Sequence, residues 1–333
     1  MAEGDMPQAA ILVTARMFGR LSDDAPQRLR AAGYLVRYPS DRNRPPGRAE
    51  LLGLLEDVEA VIAGVEPWTA DLMEGAPRLR LICRFGVGYD SVDVEAATRR
   101  GILVAVTPAT NHVAVAEHTM GLVLAVLRRL ALQDARTKRG EWVPEPGPEL
   151  RGRTLGIVGL GRTGREVADM ARAFGMRVVA CEIAPDEAFV KSRGITLVDL
   201  KRLLKEADVV TLHVPLTAQT RRLIDASALG TMKRGSYLIN TARGGLVDEA
   251  ALYDALTSGH LAGAGLDVTD PEPPVDWRLA RLPQVVMTPH SAGLSTDAIA
   301  RMEAVAVETA LAVLSGQRPP NLLNPEAHST QGR

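Results

Sequence analysis

A glycine-rich turn between a short apolar run and a helical pattern constrains this chain more than any other feature. Residues Thr154–Val158 are predicted to form a buried strand, and Gly159–Gly164 follows at once with the pattern G-x-G-x-x-G. In such a turn Gly159 allows the tight bend, Gly161 lets the backbone approach a pyrophosphate, and Gly164 lets the helix pack on the strand. The helix N-terminus adds N–H donors and the positive end of its dipole. The sequence therefore predicts a dinucleotide-binding βαβ unit.

The same alternation of strand and helix patterns runs along the whole chain. Before the glycine turn, the predicted strands are Ala10–Ala15, Tyr34–Tyr38, Val58–Ala63, Leu79–Cys83 and Ile102–Val106. From the glycine turn onward, they are Thr154–Val158, Arg177–Cys181, Val209–His213, Ser236–Asn240, His260–Asp267 and Gln284–Thr288. Long helical patterns cover Val113–Arg139 and Thr296–Leu314. Because 333 residues suffice for two cores, we predict an α/β fold with two doubly wound parallel-sheet domains.

Charge and hydropathy exclude several classes of partner. The 39 basic residues face 40 acidic ones and are scattered, so the sequence lacks the positive field that nucleic acid or an anionic membrane requires. Thr119–Leu127 is too short to span a bilayer, and residues 1–8 lack the apolar centre of a secretory signal. Cys83 and Cys181 are more simply interpreted as free thiols than as a disulfide. We expect a cytoplasmic protein that binds neither nucleic acid nor membrane, and we assign no metal site.

An acidic residue at the end of the strand after the glycine turn indicates which dinucleotide is bound. Glu182 follows Arg177–Cys181, where a carboxylate is expected to bond the hydroxyls of the adenosine ribose. A carboxylate there repels a 2′-phosphate, and residues 183–190 contain no Lys or Arg to attract one. The sequence therefore favours NAD over NADP.

Three charged side chains come shortly after predicted strand ends in the same sheet: Arg243, Glu272 and His290. In open parallel sheets the ligand crevice lies outside the carboxyl ends of the strands, so we expect all three at one mouth. Each residue alone has an ordinary structural explanation, as a surface arginine, a loop acid or a turn residue. Their combination behind a dinucleotide turn favours a shared chemical role.

Each side chain suits one part of a hydride transfer. Arg243 can hold a substrate carboxylate with its guanidinium fork, and His290 can donate a proton to a carbonyl or remove one from a hydroxyl. Glu272 can orient the imidazole and favour its protonated form. Asp267 can bond the nicotinamide carboxamide. The sequence thus predicts an oxidoreductase that transfers a hydride between NAD(H) and a small 2-hydroxy or 2-keto acid.

Seven stretches in this order resemble the D-isomer-specific 2-hydroxyacid dehydrogenase family, which includes phosphoglycerate dehydrogenases, glyoxylate/hydroxypyruvate reductases and D-lactate dehydrogenases. The resemblance extends from about Val58 to Asn324. The matching stretches are Arg84–Asp90, Val115–His118, Gly159–Gly164, His213–Thr217, Asn240–Gly244, Leu266–Val268 and Thr288–His290.

The resemblance implies roles for further residues. It makes Arg243, Glu272 and His290 the catalytic residues and gives backbone N–H groups of Val87 and Gly88 to the substrate carboxylate. With the glycine motif, it implies cofactor contacts at Gly159, Gly161, Arg162, Thr163, Gly164, Glu182, Pro215, Thr241 and Asp267. It also implies a flavodoxin-like substrate domain, residues 1–107 and 291–333, that carries an inserted Rossmann-type NAD domain, residues 108–290. The helix after Asn111 is expected to contribute to a homodimer.

Departures from the family pattern leave the identity of the substrate undecided. Thr269-Asp270-Pro271 stands where Phe and an acid are often found, and Ser291-Ala292-Gly293 follows His290 where Ile-Gly-Gly is usual. Glu66 occupies a turn in which some phosphoglycerate enzymes place arginines, and it would repel a phosphate unless Arg84 offsets it. Glyoxylate, hydroxypyruvate and 3-phosphoglycerate all remain candidate substrate types.

Two other functions are compatible with the pattern. Dehydrogenation of phosphite or formate is one, although formate enzymes use a different set of residues around the histidine and the Glu272–His290 pair argues against them. The other is an NAD(H)-sensing, corepressor-like binding protein on the same fold, since such proteins can retain the three residues. An activity assay distinguishes the two classes.

Overall fold

The computed structural model describes residues 9–327. Residues 1–8, on which the expected lack of a secretory signal rests, and residues 328–333 lie outside the described part. The chain forms two compact units: the first comprises the chain up to Asn111 and from Leu294 onward, and the second is His112–Gly293. Each unit contains its own all-parallel sheet, so the predicted α/β class is confirmed.

The first unit has a five-stranded sheet in the order β2-β1-β3-β4-β5, which is the flavodoxin-like order. Its strands are β1 Ala10–Val13, β2 Leu35–Arg37, β3 Val58–Ala63, β4 Leu81–Arg84 and β5 Leu103–Ala105. Its helices are α1 Asp24–Ala31, α2 Arg48–Leu54, α3 Ala70–Glu74, α4 Val94–Arg99 and α12 Thr296–Leu314. All five strands lie where the apolar runs predict them.

Helices cover both faces of this sheet. One apolar cluster joins the strands to α1 and α12, through residues such as Leu29 and Val307. The other joins them to α2, α3 and α4, through residues such as Leu51, Leu72 and Ala97. Burial on both faces explains why the strands are continuous apolar runs and not alternating ones.

The second unit has a seven-stranded sheet in the order β12-β11-β10-β9-β6-β7-β8. Its strands are β6 Thr154–Val158, β7 Arg177–Cys181, β8 Thr196–Leu197, β9 Val209–Leu212, β10 Ser236–Asn240, β11 Leu261–Leu266 and β12 Val285–Met287. Its helices are α5 His112–Leu127, α6 Leu130–Lys138, α7 Arg162–Ala173, α8 Glu187–Arg193, α9 Leu200–Glu206, α10 Ala226–Thr231 and α11 Glu249–Thr257, with a 3-10 turn at Gly244–Leu246. The strand order reverses between β6 and β9, which is where doubly wound sheets bind their ligands.

Two features of this unit differ from the prediction. The single helix expected over Val113–Arg139 is two helices, because Arg129 adopts a left-handed φ of 53° between α5 and α6. α5 is apolar on most sides and packs into the core, whereas none of residues 130–138 is buried, so the chain leaves the core at this break. The two-residue edge strand β8 is too short to give a periodic signal.

Within residues 9–327, every helix is too short or too polar to cross a lipid bilayer.

Candidate active site

The glycine turn has the conformation that its composition predicts. Gly159 has a φ of +95°, and a Cβ at this position would lie 2.7 Å from the carbonyl oxygen of His213. A Cβ on Gly164 would lie 2.2 Å from the carbonyl oxygen of Gly159. A Cβ on Gly161, by contrast, would meet no heavy atom of the described residues within 4 Å. The turn is therefore closed toward the protein and open at Gly161, beside the N-terminus of α7, as a pyrophosphate cradle requires.

Glu182 closes the other side of this turn. Its Oε2 accepts the N–H of Leu160 at 2.6 Å, and its Oε1 accepts the N–H groups of Ile183 at 2.8 Å and Ala184 at 3.0 Å. Burial raises the pKa of Glu182, but these N–H donors and the Arg165 guanidinium outweigh it, so the net pKa is lowered. The residue is therefore a carboxylate that both fixes the glycine turn and carries the negative charge expected near the ribose.

Arg165, which no sequence pattern singled out, also lies near Glu182. Arg165, on the first turns of α7, donates to Asp186 Oδ2 at 2.9 Å and to the carbonyl of Leu160 at 3.2 Å. Residues 183–190 contain no Lys or Arg to attract a 2′-phosphate. Arg165 lies outside that range, and the fold brings it close from α7. Its guanidinium is paired with Asp186 in this structure.

His213 follows β9 at the point where the strand order reverses. Its N–H donates to the carbonyl of Val158 at 2.7 Å, and its Nε2 lies 3.0 Å from the hydroxyl of Thr211. Burial lowers the pKa of His213 from 6.5 to about 4. The imidazole is therefore neutral at physiological pH, and the backbone N–H of His213 bonds the end of β6 just before the glycine turn.

This lowered pKa predicts a loss of stability in weak acid. The unfolded chain takes up the His213 proton as the pH falls through about 6.5, whereas the folded protein does so only near 4, so stability is lost across that window. Between pH 7.5 and pH 5 the loss is at most about 2 kcal/mol. Urea unfolding at the two pH values measures this loss in the free energy of unfolding. His213→Gln keeps an N–H donor but does not titrate, so its loss over the same pH range should be smaller by up to about 2 kcal/mol. An equal pH dependence in the two proteins would refute this role.

Arg243 lies in the turn between β10 and the 3-10 turn. Its backbone is held by the buried side chain of Asn240, whose Nδ2 donates to the carbonyl of Arg243 at 2.8 Å and whose Oδ1 accepts the N–H of Ala242 at 3.1 Å. The guanidinium of Arg243 donates to the carbonyl of Ala242 at 2.7 Å. Asn240 thus fixes the turn from which Arg243 projects, a role that the sequence did not indicate.

Glu272 and His290 are brought together. Nδ1 of His290 lies 2.6 Å from Oε2 of Glu272, and each side chain is less than one-third exposed. His290 also has a left-handed φ of 51°, which is uncommon for a residue other than glycine. This short contact at Nδ1 orients the ring and leaves Nε2 as the nitrogen for proton transfer. The pair has the geometry of a general acid–base dyad.

Asp267, at the end of β11, is engaged by the turn that carries His290. Its Oδ1 accepts the hydroxyl of Thr288 at 2.5 Å and the N–H of Ser291 at 2.9 Å, and its Oδ2 accepts the N–H of Ala292 at 2.8 Å. The side chain has no exposed surface. The expected contact of Asp267 with nicotinamide stays a prediction, and a carboxamide would have to share oxygens that already bind the turn.

The remaining predicted cofactor contacts also lie in the second unit. Arg162 and Thr163 are the first residues of α7. Pro215 is exposed beyond β9, and Thr241 is buried just after β10, with its hydroxyl 2.8 Å from that of Thr119. Their contacts with a cofactor stay predictions. Among residues 9–327, no group of three or more His, Cys, Asp or Glu side chains is arranged to hold a metal ion.

Comparison with known proteins identifies the family. Residues 120–292, which contain the glycine turn and the Glu272–His290 pair, match the model of the D-isomer specific 2-hydroxyacid dehydrogenase NAD binding domain. A glyoxylate reductase of Korarchaeum cryptofilum is 41% identical over 290 residues, which cover 85% of this chain and 87% of that protein. The chain belongs to the D-isomer specific 2-hydroxyacid dehydrogenase family.

Other members of the family extend the likeness to the whole fold. A D-3-phosphoglycerate dehydrogenase of Methanocaldococcus jannaschii is 41% identical over 281 residues, which cover 83% of this chain but 54% of that longer protein. The crystal structure of TT0316 protein from Thermus thermophilus has a TM-score of 0.85 at 44% identity and covers 94% of this chain and 99% of that one. D-lactate dehydrogenase of Aquifex aeolicus, solved with NAD and lactic acid, has a TM-score of 0.82 at 31% identity, covering 95% and 99%. The chain is an NAD-dependent oxidoreductase that acts on CH–OH groups.

The predicted substrate loop of this dehydrogenase lies in the first unit. Val87 and Gly88 follow β4, and Arg84, whose direction the sequence left open, donates from Nε to the carbonyl of Gly88 at 2.9 Å. Nη1 of Arg84 donates to the carbonyl of Ala63 at 2.8 Å and also to that of Gly64. Arg84 thus ties the loop to the end of β3. Contacts of Val87 and Gly88 with a substrate stay predictions.

Glu66 lies in the turn after β3 and is buried in the first unit of the dehydrogenase. Its Oε1 accepts Nε1 of Trp68 at 3.1 Å and the N–H of Gly64 at 3.1 Å, and it also bonds the hydroxyl of Thr14. The carboxylate that was expected to repel a phosphate is therefore an internal part of the turn.

Two further residues of the dehydrogenase hold the loop before Glu272. Oε1 of Glu249 accepts the N–H of Asp270 at 2.9 Å, and Nη1 of Arg221 lies 3.2 Å from Oδ2 of Asp270. Burial raises the pKa of Glu249, the bond from Asp270 lowers it, and nearby carboxylates raise it further. The sequence gives no signal for either residue, because both are distant from the loop along the chain.

Proposed function

We propose that this chain reduces a small 2-keto acid to the D-2-hydroxy acid, or oxidises it in reverse, with His290 as the acid–base residue. Glu272 stabilises the imidazolium, and Arg243 binds the substrate carboxylate. The observation that carries the proposal is the 2.6 Å contact between His290 Nδ1 and Glu272 Oε2. Glyoxylate, hydroxypyruvate and 3-phosphoglycerate are the candidate substrate types.

In the reduction, Nε2 of His290 donates its proton to the keto oxygen as negative charge develops there. Glu272 holds the ring through Nδ1 and so keeps Nε2 free to face the substrate. The guanidinium of Arg243 supplies parallel N–H donors that match a carboxylate and draw charge from the neighbouring carbonyl. We propose the N–H groups of Val87 and Gly88 in the first unit as further donors to that carboxylate.

The glycine turn and Glu182 would hold NAD. The open face at Gly161 and the helix N-terminus that contains Arg162 and Thr163 suit a pyrophosphate, and the carboxylate of Glu182 suits ribose hydroxyls. When bound, NAD(H) supplies or accepts the hydride. We further propose that Pro215 lies near the adenine and that Thr241 and Asp267 lie near the nicotinamide end.

The roles of the two units follow from these assignments. We propose that residues 1–107 and 291–333 form the substrate domain and that residues 108–290 form the NAD domain. A cytoplasmic location is also proposed, and it is supported by the two free cysteines, Cys83 and Cys181, which suit a reducing compartment. A corepressor-like sensor, the other candidate, has no support among the relatives named above.

We propose a homodimer that forms through the region after Asn111. α5 is committed to the core, whereas α6 and the segment after it expose Trp142 at 88% of its surface, together with Val143 and Leu130. Large apolar side chains exposed in one region of the chain are a reason to expect an interface there.

Trp142→Glu should therefore convert the dimer to a monomer in sedimentation velocity, because it places a charge in the apolar contact. Trp277→Glu, which changes a half-exposed tryptophan elsewhere in the same unit, serves as the control. A monomeric wild type, or a dimeric Trp142→Glu variant, would contradict the proposed interface.

An absorbance assay tests the proposed reaction. Purified protein is mixed with NADH or NADPH and glyoxylate, hydroxypyruvate, pyruvate or phenylpyruvate, and with NAD and 3-phosphoglycerate in the reverse direction. We expect turnover of at least one acid with NADH, and a lower kcat/KM with NADPH because Glu182 repels the 2′-phosphate. NADH binding without turnover of any acid would favour the sensor function instead.

A further inference from the structure

His118 belongs to one of the matching stretches, but the proposed reaction gives it no role. It lies on α5 in the second unit, and its Nε2 is 2.9 Å from the hydroxyl oxygen of Thr288. The same Nε2 is 3.6 Å from Oδ1 of Asp267, which is beyond hydrogen-bond length. The imidazole of His118 therefore bonds Thr288 and not Asp267, although both residues lie close to it.

The number of protons available fixes the direction of these hydrogen bonds. Both oxygens of Asp267 accept backbone N–H groups, from Ser291 and Ala292, so Asp267 acts as an acceptor. The hydroxyl of Thr288 has one proton, and its 2.5 Å contact with Asp267 uses that proton. The oxygen of Thr288 must then accept from Nε2 of His118, so this nitrogen carries a hydrogen.

Asp267 in turn holds the backbone on both sides of His290. Its carboxylate binds the N–H groups of Ser291 and Ala292, and its carbonyl accepts the N–H of His290 at 2.8 Å. His290 has a left-handed φ of 51°, an unfavourable conformation for a residue other than glycine that persists only where surrounding contacts impose it. The network from α5 therefore ends at the backbone of His290.

We propose that His118 is a positioning residue for His290. By donating to Thr288, it turns the only hydroxyl proton of Thr288 toward Asp267 and so stabilises the turn that aims the imidazole of His290 at Glu272. The inference rests on the proposed function for its catalytic consequence, but the direction of the hydrogen bonds is independent of it.

The expected effect is smaller than that of removing the acid–base residue itself. Without the donor at position 118, the hydroxyl of Thr288 is free to donate elsewhere, and Asp267 loses a bond. A displacement of about 1 Å at a reacting group costs on the order of 100-fold in rate. A change two hydrogen bonds away from His290 should therefore lower kcat by roughly tenfold.

Nitrogen NMR tests the hydrogen-bond direction without any substrate. Long-range 1H–15N spectra of the full chain at pH 7.5 should show His118 with a hydrogen on Nε2, and Thr288→Val should shift that resonance. A neutral ring with its hydrogen on Nδ1 and a bare Nε2 would overturn the proposal, whether or not the protein turns over an acid.

Steady-state kinetics test the positioning role. We expect His118→Leu to lower kcat about tenfold with the Kd for NADH unchanged, and His118→Gln, which keeps an N–H donor at the same end, to restore most of it. The matched control is His260→Leu, since His260 is another partly buried histidine of this unit whose Nε2 bonds a backbone carbonyl, that of Leu229, at 3.0 Å. The control should lose thermal stability but retain kcat.

A double-mutant cycle separates this pathway from a general loss of stability. If His118 acts through Thr288, then His118→Leu added to Thr288→Val should lower kcat no further, whereas Thr288→Ser should resemble the wild type. Multiplying effects, or a His118→Leu variant with a lower Tm and unchanged kcat, would overturn the positioning role. A wild type without turnover is a failure of the proposed function, and the NMR result then decides the hydrogen-bond direction alone.

Discussion

Replacing Gly161 with valine is expected to abolish NADH binding and leave the fold intact. Gly161 has a φ of −70°, which any residue adopts, and a Cβ there meets no heavy atom of the described residues within 4 Å. The new side chain would therefore occupy the space in which we propose that the pyrophosphate binds. We expect the Kd for NADH, measured by fluorescence titration, to rise by at least about 100-fold, which corresponds to about 2.7 kcal/mol.

A second glycine provides a matched control for this substitution. Gly47 also precedes a helix, α2, with an extended conformation and open space around its Cβ, but it lies in the first unit. Gly47→Val should cost the same small loss of helix capping and leave the Kd for NADH unchanged. If Gly161→Val binds NADH like the wild type, the glycine turn is not the cofactor site.

Replacing His290 is expected to cause the largest loss of catalysis. General acid–base residues contribute about 10²- to 10⁴-fold to rate, and no other group is assigned to protonate the keto oxygen. His290→Asn is the better variant, because asparagine tolerates the left-handed backbone at this position more readily than alanine does. We expect kcat/KM for the keto acid to fall at least about 1,000-fold while the Kd for NADH stays within twofold.

The partner of His290 provides the control for this prediction. Glu272→Gln keeps a hydrogen-bonding side chain but removes the carboxylate that contacts Nδ1 and orients the imidazole. We expect kcat/KM for the keto acid to fall by less than in His290→Asn, with the Kd for NADH unchanged. Retention of more than about one-tenth of kcat/KM by His290→Asn would contradict the acid–base role.

Most of the fold could be predicted from the sequence because parallel strands buried on both faces are continuous apolar runs. Six strands of the second unit were expected within one residue of their observed bounds at each end, and three of them, β6, β7 and β10, match residue for residue. The break between α5 and α6 could not be predicted, because both sides have helical composition. It depends on where the chain leaves the core, which periodicity along one helix does not reveal.

The site was predictable only as a set of residue types at strand ends. The rule that ligands bind outside the carboxyl ends of parallel strands directs attention to Arg243, Glu272 and His290. The sequence could not reveal that Asp267 binds the turn around His290, or that Glu182 fixes the glycine turn. These bonds join residues that are about 20 positions apart or more, and they depend on side-chain directions that no local pattern encodes.

The most direct test of the proposed reaction is the transfer of deuterium from NADH that carries deuterium at both C4 positions of the nicotinamide to a 2-keto acid that the enzyme turns over. Direct hydride transfer with His290 as the proton donor predicts a product with deuterium at C2 and the D configuration, formed by the wild type and not by His290→Asn. A product without deuterium at C2, a product of the L configuration, or equal product formation by the variant would contradict it.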